Sequence, residues 1–381
     1  MIYITVKQPP MYHQMTLEEF LFQTDAPAMA LNPNLTNTRT YEVCSVSDRM
    51  ARKFNFGVNG LIAKLEQFNR ETENLRSRPR HELYSEFYIP KKSGGLRKID
   101  APNQELMDAL RKLKLIFEQD FRVLYHTSAF AYIKKRCTID AIKRHQANES
   151  KWYAKYDLHN FFGSTTLDFI MQMFSMIYPF SEVVKSENGE AQLRTALELA
   201  ILDGGLPQGT PISPLITNIM MIPVDYKLSN ALRDYERQRF VYTRYADDFQ
   251  ISSRYDFSYR DVEQLIISTL AEFNAPFTIN RQKTRYGSAA GSNWNLGVML
   301  NKDNKITVGY QKKRQFKAML TSFILDTKNG VFWDPHDIQI MDGYRNYYRM
   351  VEGETIDEIV SAIGRKYNVD VVRLIKEQLR T

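Results

Sequence analysis

Two cysteines, Cys44 and Cys137, are all that 381 residues carry, and they have no paired spacing. That scarcity argues against a disulfide framework and a thiolate zinc site, and it fits a reducing compartment. Six histidines stand at 13, 81, 126, 145, 159 and 336. None forms a recognisable ligand pair, so a histidine-based metal site is not expected. No apolar run approaches membrane-spanning length, and the N-terminus lacks a basic stretch followed by a long apolar one. The expectation is a cytoplasmic chain with no membrane partner. Internal repeats and low-complexity tracts are absent too. Acidic residues are the scarcer sign, 44 against 51 Lys and Arg, which leaves a net charge of +7 and a pI near 9.1. That balance leans towards a polyanionic partner such as nucleic acid. The 22 Tyr and 22 Phe offer rings for stacking on bases, although most will be core.

What is present reads as an ordinary globular chain, 43% hydrophobic and 25% charged, long enough for two or three domains' worth of core. Residues 1 to 80 are the least legible, with a loop at Leu31–Thr38 and a helical pattern around Gly60–Phe68. Glu86–Pro90 is strand-like and leads through Lys91-Lys92-Ser93-Gly94-Gly95 into Leu96–Ile99. This predicts a hairpin bearing Lys91, Lys92, Arg97 and Lys98. It is either a solvated surface hairpin or a basic cover for a triphosphate. A helix is expected from Gln104 to Phe121, with Leu106, Leu110, Leu113 and Phe117 on one face.

Lys151–Leu158 reads as a buried strand carrying Asp157 near its end, an expensive place for a carboxylate without a charge partner. Ser164 or Thr165 would cap the helix that follows. Another helix spans Glu190 to Leu202. Asp203–Pro211 then breaks regular structure, and a helix resumes with Ser213 as N-cap and Pro214 in its first turn, running towards Leu228. Two strand-like runs, Arg239–Thr243 and Phe249–Ser252, flank Asp247-Asp248, which predicts a hairpin with both aspartates at its tip. Adjacent carboxylates raise each other's pKa, and a divalent cation is the usual remedy. The alternative is an ordinary turn, which Asp also favours. Helices are expected from Asp261 to Phe273 and through most of the chain beyond Gln311.

The order of these features resembles the palm of a reverse transcriptase over residues 84 to 300, with weaker similarity in the helices beyond. The resemblance implies an α+β, right-hand polymerase fold. Its parts would be an N-terminal extension (1–80), fingers (81–150), palm (151–300, with 204–218 at the nucleotide site) and a helical thumb (301–381). Tyr245-Ala246-Asp247-Asp248 matches the Tyr-x-Asp-Asp box of these enzymes, and Asp157 matches their first catalytic aspartate. By that resemblance the three aspartates hold two Mg²⁺ ions, with Mn²⁺ as a substitute, Asp247 as principal ligand and Asp248 as support. Phe162 would exclude a 2′-hydroxyl, Gln208-Gly209 would meet the incoming nucleotide, and Lys91, Lys92 and Arg97 would hold its triphosphate. Asn280 and Lys283 match the motif whose lysine lies near the departing pyrophosphate. Leu296-Gly297 resembles the primer grip.

Within that family, Tyr84-x-x-Phe87-x-Ile89-Pro90-Lys91-Lys92-Ser93-Gly94-Gly95 is most similar to retron and retron-like antiphage defence enzymes. Asp140–His145 resembles the Asn-Ala-x-x-His box of retrons, with Asp for Asn and one extra residue before the histidine. Asn295-Leu296-Gly297 stands where a retron has Val-Thr-Gly. The implied partners are an RNA template (a dedicated non-coding RNA in a retron), a DNA or RNA primer, dNTPs and an effector protein. Two other readings stand beside this one: a polymerase with protein-primed or template-independent synthesis, and a non-catalytic RNA-binding scaffold.

Overall fold

In the computed structural model, which describes residues 57–90, 94–119, 125–288 and 297–379, two antiparallel sheets of unlike character precede a bundle of helices. The first is a two-stranded ribbon. Strand β1 (Tyr84–Pro90) pairs with β2 (Leu96–Pro102) in a register that sets Tyr84 opposite Pro102 and Pro90 opposite Leu96. Gly94 and Gly95 take left-handed φ values of 87° and 79°, which closes the turn at no Cβ cost. The predicted Lys91 and Lys92 lie outside the described residues.

The second sheet has the order β4-β5-β3-β6, with β3 (Trp152–Asp157), β4 (Val241–Tyr245), β5 (Asp248–Ser253) and β6 (Arg285–Ser288). All its pairs are antiparallel. Side chains alternate across it. Ala154 and Tyr156 of β3 oppose Ile251 and Phe249 of β5 and enter the main hydrophobic core. Lys155 and Asp157 oppose Gln250 and Asp248 and therefore share the other face. The core beneath is filled from Leu167–Phe174, Ser213–Met220, Ile222–Arg233 and Tyr259–Glu272, and from Leu106, Leu110, Leu113 and Phe117 of the helix Gln104–Gln119. Leu61, Leu65 and Phe68 of the helical residues 57–71 join it.

A second cluster gathers the C-terminal helices Tyr310–Lys328, Pro335–Val351, Gly353–Tyr367 and Val371–Gln378 around Phe316, Leu320, Phe323 and Met341. A small ribbon, β7 (Met299–Leu300) and β8 (Ile306–Thr307), leads into it. Tyr153 of β3 and Ile142 of the helix Thr138–Ala147 join this cluster, and His145 of that helix packs beside Tyr153 on the sheet face opposite the main core. No helix among the described residues is long and apolar enough to cross a membrane.

Several local expectations shift. Thr166, not Ser164 or Thr165, caps the helix Leu167–Phe174 by accepting the Phe169 N–H, while the Thr165 hydroxyl turns inward to donate to the Phe161 carbonyl. The helix Gly189–Glu198 stops short of Leu202, which exchanges backbone hydrogen bonds with Gly205 instead. Ser213 lies inside its helix, and Thr210 Oγ1 accepts its N–H. That helix ends at Met220 and a new one begins at Ile222, because Pro223 has no N–H to carry the ladder onward. The helix Tyr259–Glu272 begins two residues before the expected Asp261, with Ser258 as its cap.

Candidate active site

Strand register brings the three predicted carboxylates to one edge of the sheet. Asp157 ends β3 directly opposite Asp248, the first residue of β5. The Leu158 N–H donates to the Asp247 carbonyl at 3.1 Å. The two aspartates do not sit together at the hairpin tip. Tyr245 pairs with Asp248 across a turn made of Ala246 and Asp247, so Asp247 is a turn residue and Asp248 a strand residue. Ala246 closes this turn with φ +56°, a left-handed conformation that costs an alanine about 1 kcal/mol.

Each carboxylate meets a different environment. Lys283 Nζ lies 2.9 Å from both oxygens of Asp157, whose side chain is only 9% exposed. Lys155, the diagonal neighbour across the β3–β5 pair, places Nζ 2.9 Å from Asp248 Oδ2. The other oxygen, Asp248 Oδ1, is buried with no hydrogen-bond partner. Burial raises the Asp248 pKa against the pull of Lys155. Asp247 is pushed up to about 6, first by burial and then by the negative charge of Asp248. Among the described residues no three such side chains form a preformed metal cage. Two lysine ammonium groups hold two of the carboxylates instead.

This donor set fits a hard divalent cation. Carboxylate oxygens suit such ions, one buried oxygen lacks any partner, and Asp247 is ionised at a cost that a nearby cation would remove.

The remaining predicted residues frame this edge. Phe162 is half-buried, edge-on to the buried Phe161 at 5.6 Å. Its carbonyl accepts the N–H of Leu206 at 3.0 Å, tying its turn to the glycine loop. Gly205 is required there, because a Cβ would fall 2.1 Å from the Gly163 carbonyl oxygen. The loop in turn abuts β2: the Asp100 N–H donates to the Gln208 carbonyl at 2.8 Å, and Gly209 takes φ +127° against the Asp100 backbone. The exposed ribbon is thus anchored at its base to Gln208-Gly209. Arg97 is exposed on β2, whereas Lys98 is taken up by Glu86 (2.9 Å) and Asp100 (3.2 Å). The Asn280 N–H donates to the Asp157 carbonyl at 2.7 Å, which seats the segment carrying Lys283. Gly297 belongs to the C-terminal side, where its carbonyl accepts from Lys312 Nζ, and Leu296 lies outside the described residues.

Lys155 was not among the predicted site residues, although it stands two residues before Asp157 on a strand and so on the same face. Asp225 and Arg244 were also missed: both are fully buried and ion-paired at 2.7 Å. A charged residue inside an otherwise apolar strand run was the available signal for Arg244.

A nucleotidyl-transfer centre of the polymerase kind accounts for this combination of acidic edge, glycine loop and basic ribbon. Comparison with known proteins gives it a family. The profile described as "Reverse transcriptase (RNA-dependent DNA polymerase)" matches residues 89–318, and the chain belongs to that family. It is an RNA-directed DNA polymerase of α+β polymerase fold, and the family as a class depends on divalent metal and uses RNA templates. The retron Ec83 reverse transcriptase of Escherichia coli is 28% identical over 322 residues, covering 80% of this chain and 92% of that protein. The retron Ec73 reverse transcriptase of the same organism is 26% identical, covering 73% and 85%. A solved apo telomerase from Candida Tropicalis aligns at TM-score 0.44 and 12% identity, covering 78% of this chain and 62% of that one, too distant a likeness to argue from.

Proposed function

We propose that this polymerase is the reverse transcriptase of a retron. It would copy a dedicated non-coding RNA into DNA in the cytoplasm, primed by DNA or RNA and allied with an effector protein in defence against phage. Similarity to retron enzymes across four-fifths of the chain supports that reading. Asp157, Asp247 and Asp248 are the residues that would hold two Mg²⁺ ions, and the unpartnered, buried Asp248 Oδ1 is the observation that carries the assignment. Such a pair of ions, when bound, lowers the pKa of the primer 3′-hydroxyl and neutralises charge on the leaving pyrophosphate.

The chain's own groups would do the rest. Lys283, more than half exposed beside Asp157, holds a proton at the mouth of the site for the departing pyrophosphate. Arg97 of the ribbon would grip the triphosphate, as would Lys91 and Lys92, and Gln208 and Gly209 would position the nucleotide against it. Phe162 would stand under the sugar and exclude a 2′-hydroxyl. Leu296-Gly297 would guide the primer. In this reading 81–150 are the fingers, 151–300 the palm and 301–381 the thumb, with 1–80 an extension.

The test is to purify the chain with its copurifying RNA, supply dNTPs and Mg²⁺, and sequence the product. One recurrent RNA copied from a defined start is expected. Products from unrelated RNAs alone would remove the retron assignment, and no DNA on any RNA template would remove the polymerase assignment. Phe162→Ala should admit NTPs at least tenfold better relative to dNTPs, and unchanged discrimination would remove the gate role.

A further inference from the structure

Arg244 immediately precedes the Tyr245–Asp248 segment, yet its side chain is fully enclosed, as is that of Asp225 on the helix Ile222–Arg233. The pair is bidentate, with Arg244 Nε donating to Asp225 Oδ1 at 2.7 Å and Nη2 to Oδ2 at 2.8 Å. The Tyr242 hydroxyl also donates to Asp225 Oδ1, at 2.7 Å. The remaining arm, Nη1, points the other way, to the Ala246 carbonyl at 3.1 Å and to Asn218 Oδ1 at 3.3 Å. The backbone is tied as well: the Arg244 N–H donates to the Ser128 carbonyl, and the Arg244 carbonyl accepts from Phe130.

A fully buried ion pair is a weak device for stability alone, since apolar residues of similar volume often serve as well. The contact to Ala246 suggests a different use. Ala246 is the left-handed residue of the turn, and its carbonyl shares a rigid peptide plane with the Asp247 amide. Gripping that oxygen fixes the plane from which the Asp247 side chain springs. Only a planar guanidinium can fork onto Asp225 and still present a third donor in the opposite direction.

We propose that Asp225 and Arg244 form a clamp, acting as positioning residues that hold the Ala246–Asp247 turn in the conformation that presents Asp247 to a divalent cation. The inference rests on the reading of Asp247 as a ligand. Asp225, anchored in the helical core, orients Arg244, and Arg244 Nη1 transmits that order to the turn. Asn218, which accepts from the same nitrogen, ties it to the helix Ser213–Met220 and donates to the Ala131 carbonyl beyond.

Two variants separate the clamp from plain structural support. Arg244→Lys keeps the charge facing Asp225 but has no second arm for the Ala246 carbonyl. The double variant Arg244→Met with Asp225→Leu fills the same space without charge, so no buried charge is stranded, and the Tyr242 hydroxyl that donated to Asp225 is left as a neutral group. Hydrogen–deuterium exchange of the segment 245–249 is read in the full chain without substrate. The Mg²⁺ concentration for half-maximal synthesis is read with dNTPs and template. The clamp predicts, in both variants, exchange at least tenfold faster at the turn and a Mg²⁺ requirement raised at least tenfold, with the dNTP KM within twofold. A folded double variant with exchange and Mg²⁺ requirement within twofold of wild type would overturn it. Exchange needs no synthesis, so the grip on the turn is decided even if wild type makes no DNA, a result that would instead sink the polymerase reading.

Discussion

The β1–β2 ribbon and the four-stranded sheet obey the same pairing rules and are used in opposite ways. From Ser85 to Lys98 every described ribbon residue is exposed, including Phe87, Tyr88, Ile89 and Leu96. In β5 every residue after Asp248 is buried, and β3 sends Ala154 and Tyr156 into the main core and Tyr153 into the C-terminal cluster, leaving Lys155 and Asp157 at the acidic edge. A two-stranded ribbon standing alone has little apolar burial to hold it. This one is anchored at its base through Asp100 to the Gln208-Gly209 loop. The sheet has the opposite character. Lysines pair two of its three edge carboxylates, Asp157 and Asp248, so the three can be kept close together in a partly buried setting. Grip on a mobile polyanion suits the first arrangement, and fixed geometry suits the second.

Substitutions on the two sides should therefore fail differently. The largest effect is expected at the acidic edge. Asp247→Asn should lower dNTP incorporation by on the order of 10³-fold while the chain still folds, since charge stabilisation at the reacting centre is usually the largest catalytic term. Retained synthesis would end the metal assignment. Next comes the frame between the two regions. Gly205→Ala would set a Cβ 2.1 Å from the Gly163 oxygen, and the backbone shift should cost about 2 kcal/mol in thermal melting. An unchanged melting temperature would show that the two turns are not rigidly apposed.

The buried side should show a pH effect in which two enclosed histidines outweigh Asp247, whose raised pKa acts in the opposite sense below about pH 6. His145 is enclosed, with Nδ1 2.6 Å from Ser252 Oγ and Nε2 2.8 Å from Thr243 Oγ1, and burial drives its pKa down to about 3. Burial lowers His126 to about 4. Both rings stay neutral in the folded chain, whereas the unfolded chain takes up protons below about pH 6.5. Their contribution is complete above that pH and is lost as pH falls towards 4 and 3, by up to about 1.4 kcal/mol per pH unit for each ring. Denaturant melts from pH 7 to 4.5 should show this fall, and His145→Gln should flatten it; an unaltered slope would refute the assignment. The smallest structural effect is expected on the ribbon. Arg97→Ala should leave melting unchanged, because an exposed charge contributes little to stability. The KM for dNTPs should rise several-fold, and an unchanged KM would detach the ribbon from the triphosphate.

Local signals carried much of this reading. The buried-strand run Lys151–Leu158, the two strand runs around Asp247-Asp248 and the period of Leu106, Leu110, Leu113 and Phe117 each reappear as the expected element. Helix ends were less legible, since Thr166 competes with Ser164 and Thr165 for one cap and Pro223 divides what reads as one helix. Lys155 could have been found from the period of the strand. The Asp225–Arg244 clamp could not, because its partners lie 19 residues apart on a helix and a strand.

The sequence by itself determined the family and the order in which its motifs arrive: Asp157, the Pro207-Gln208-Gly209 loop, Tyr245–Asp248 and Lys283. Those are properties of residue type and spacing along one chain. Tertiary structure alone decided that Asp157 faces Asp248, that Lys283 and Lys155 neutralise them, that one Asp248 oxygen is left unpartnered, and that Asp247 takes the turn. These depend on strand register and on which segments burial forces together, and spacing along the chain does not encode distances across it.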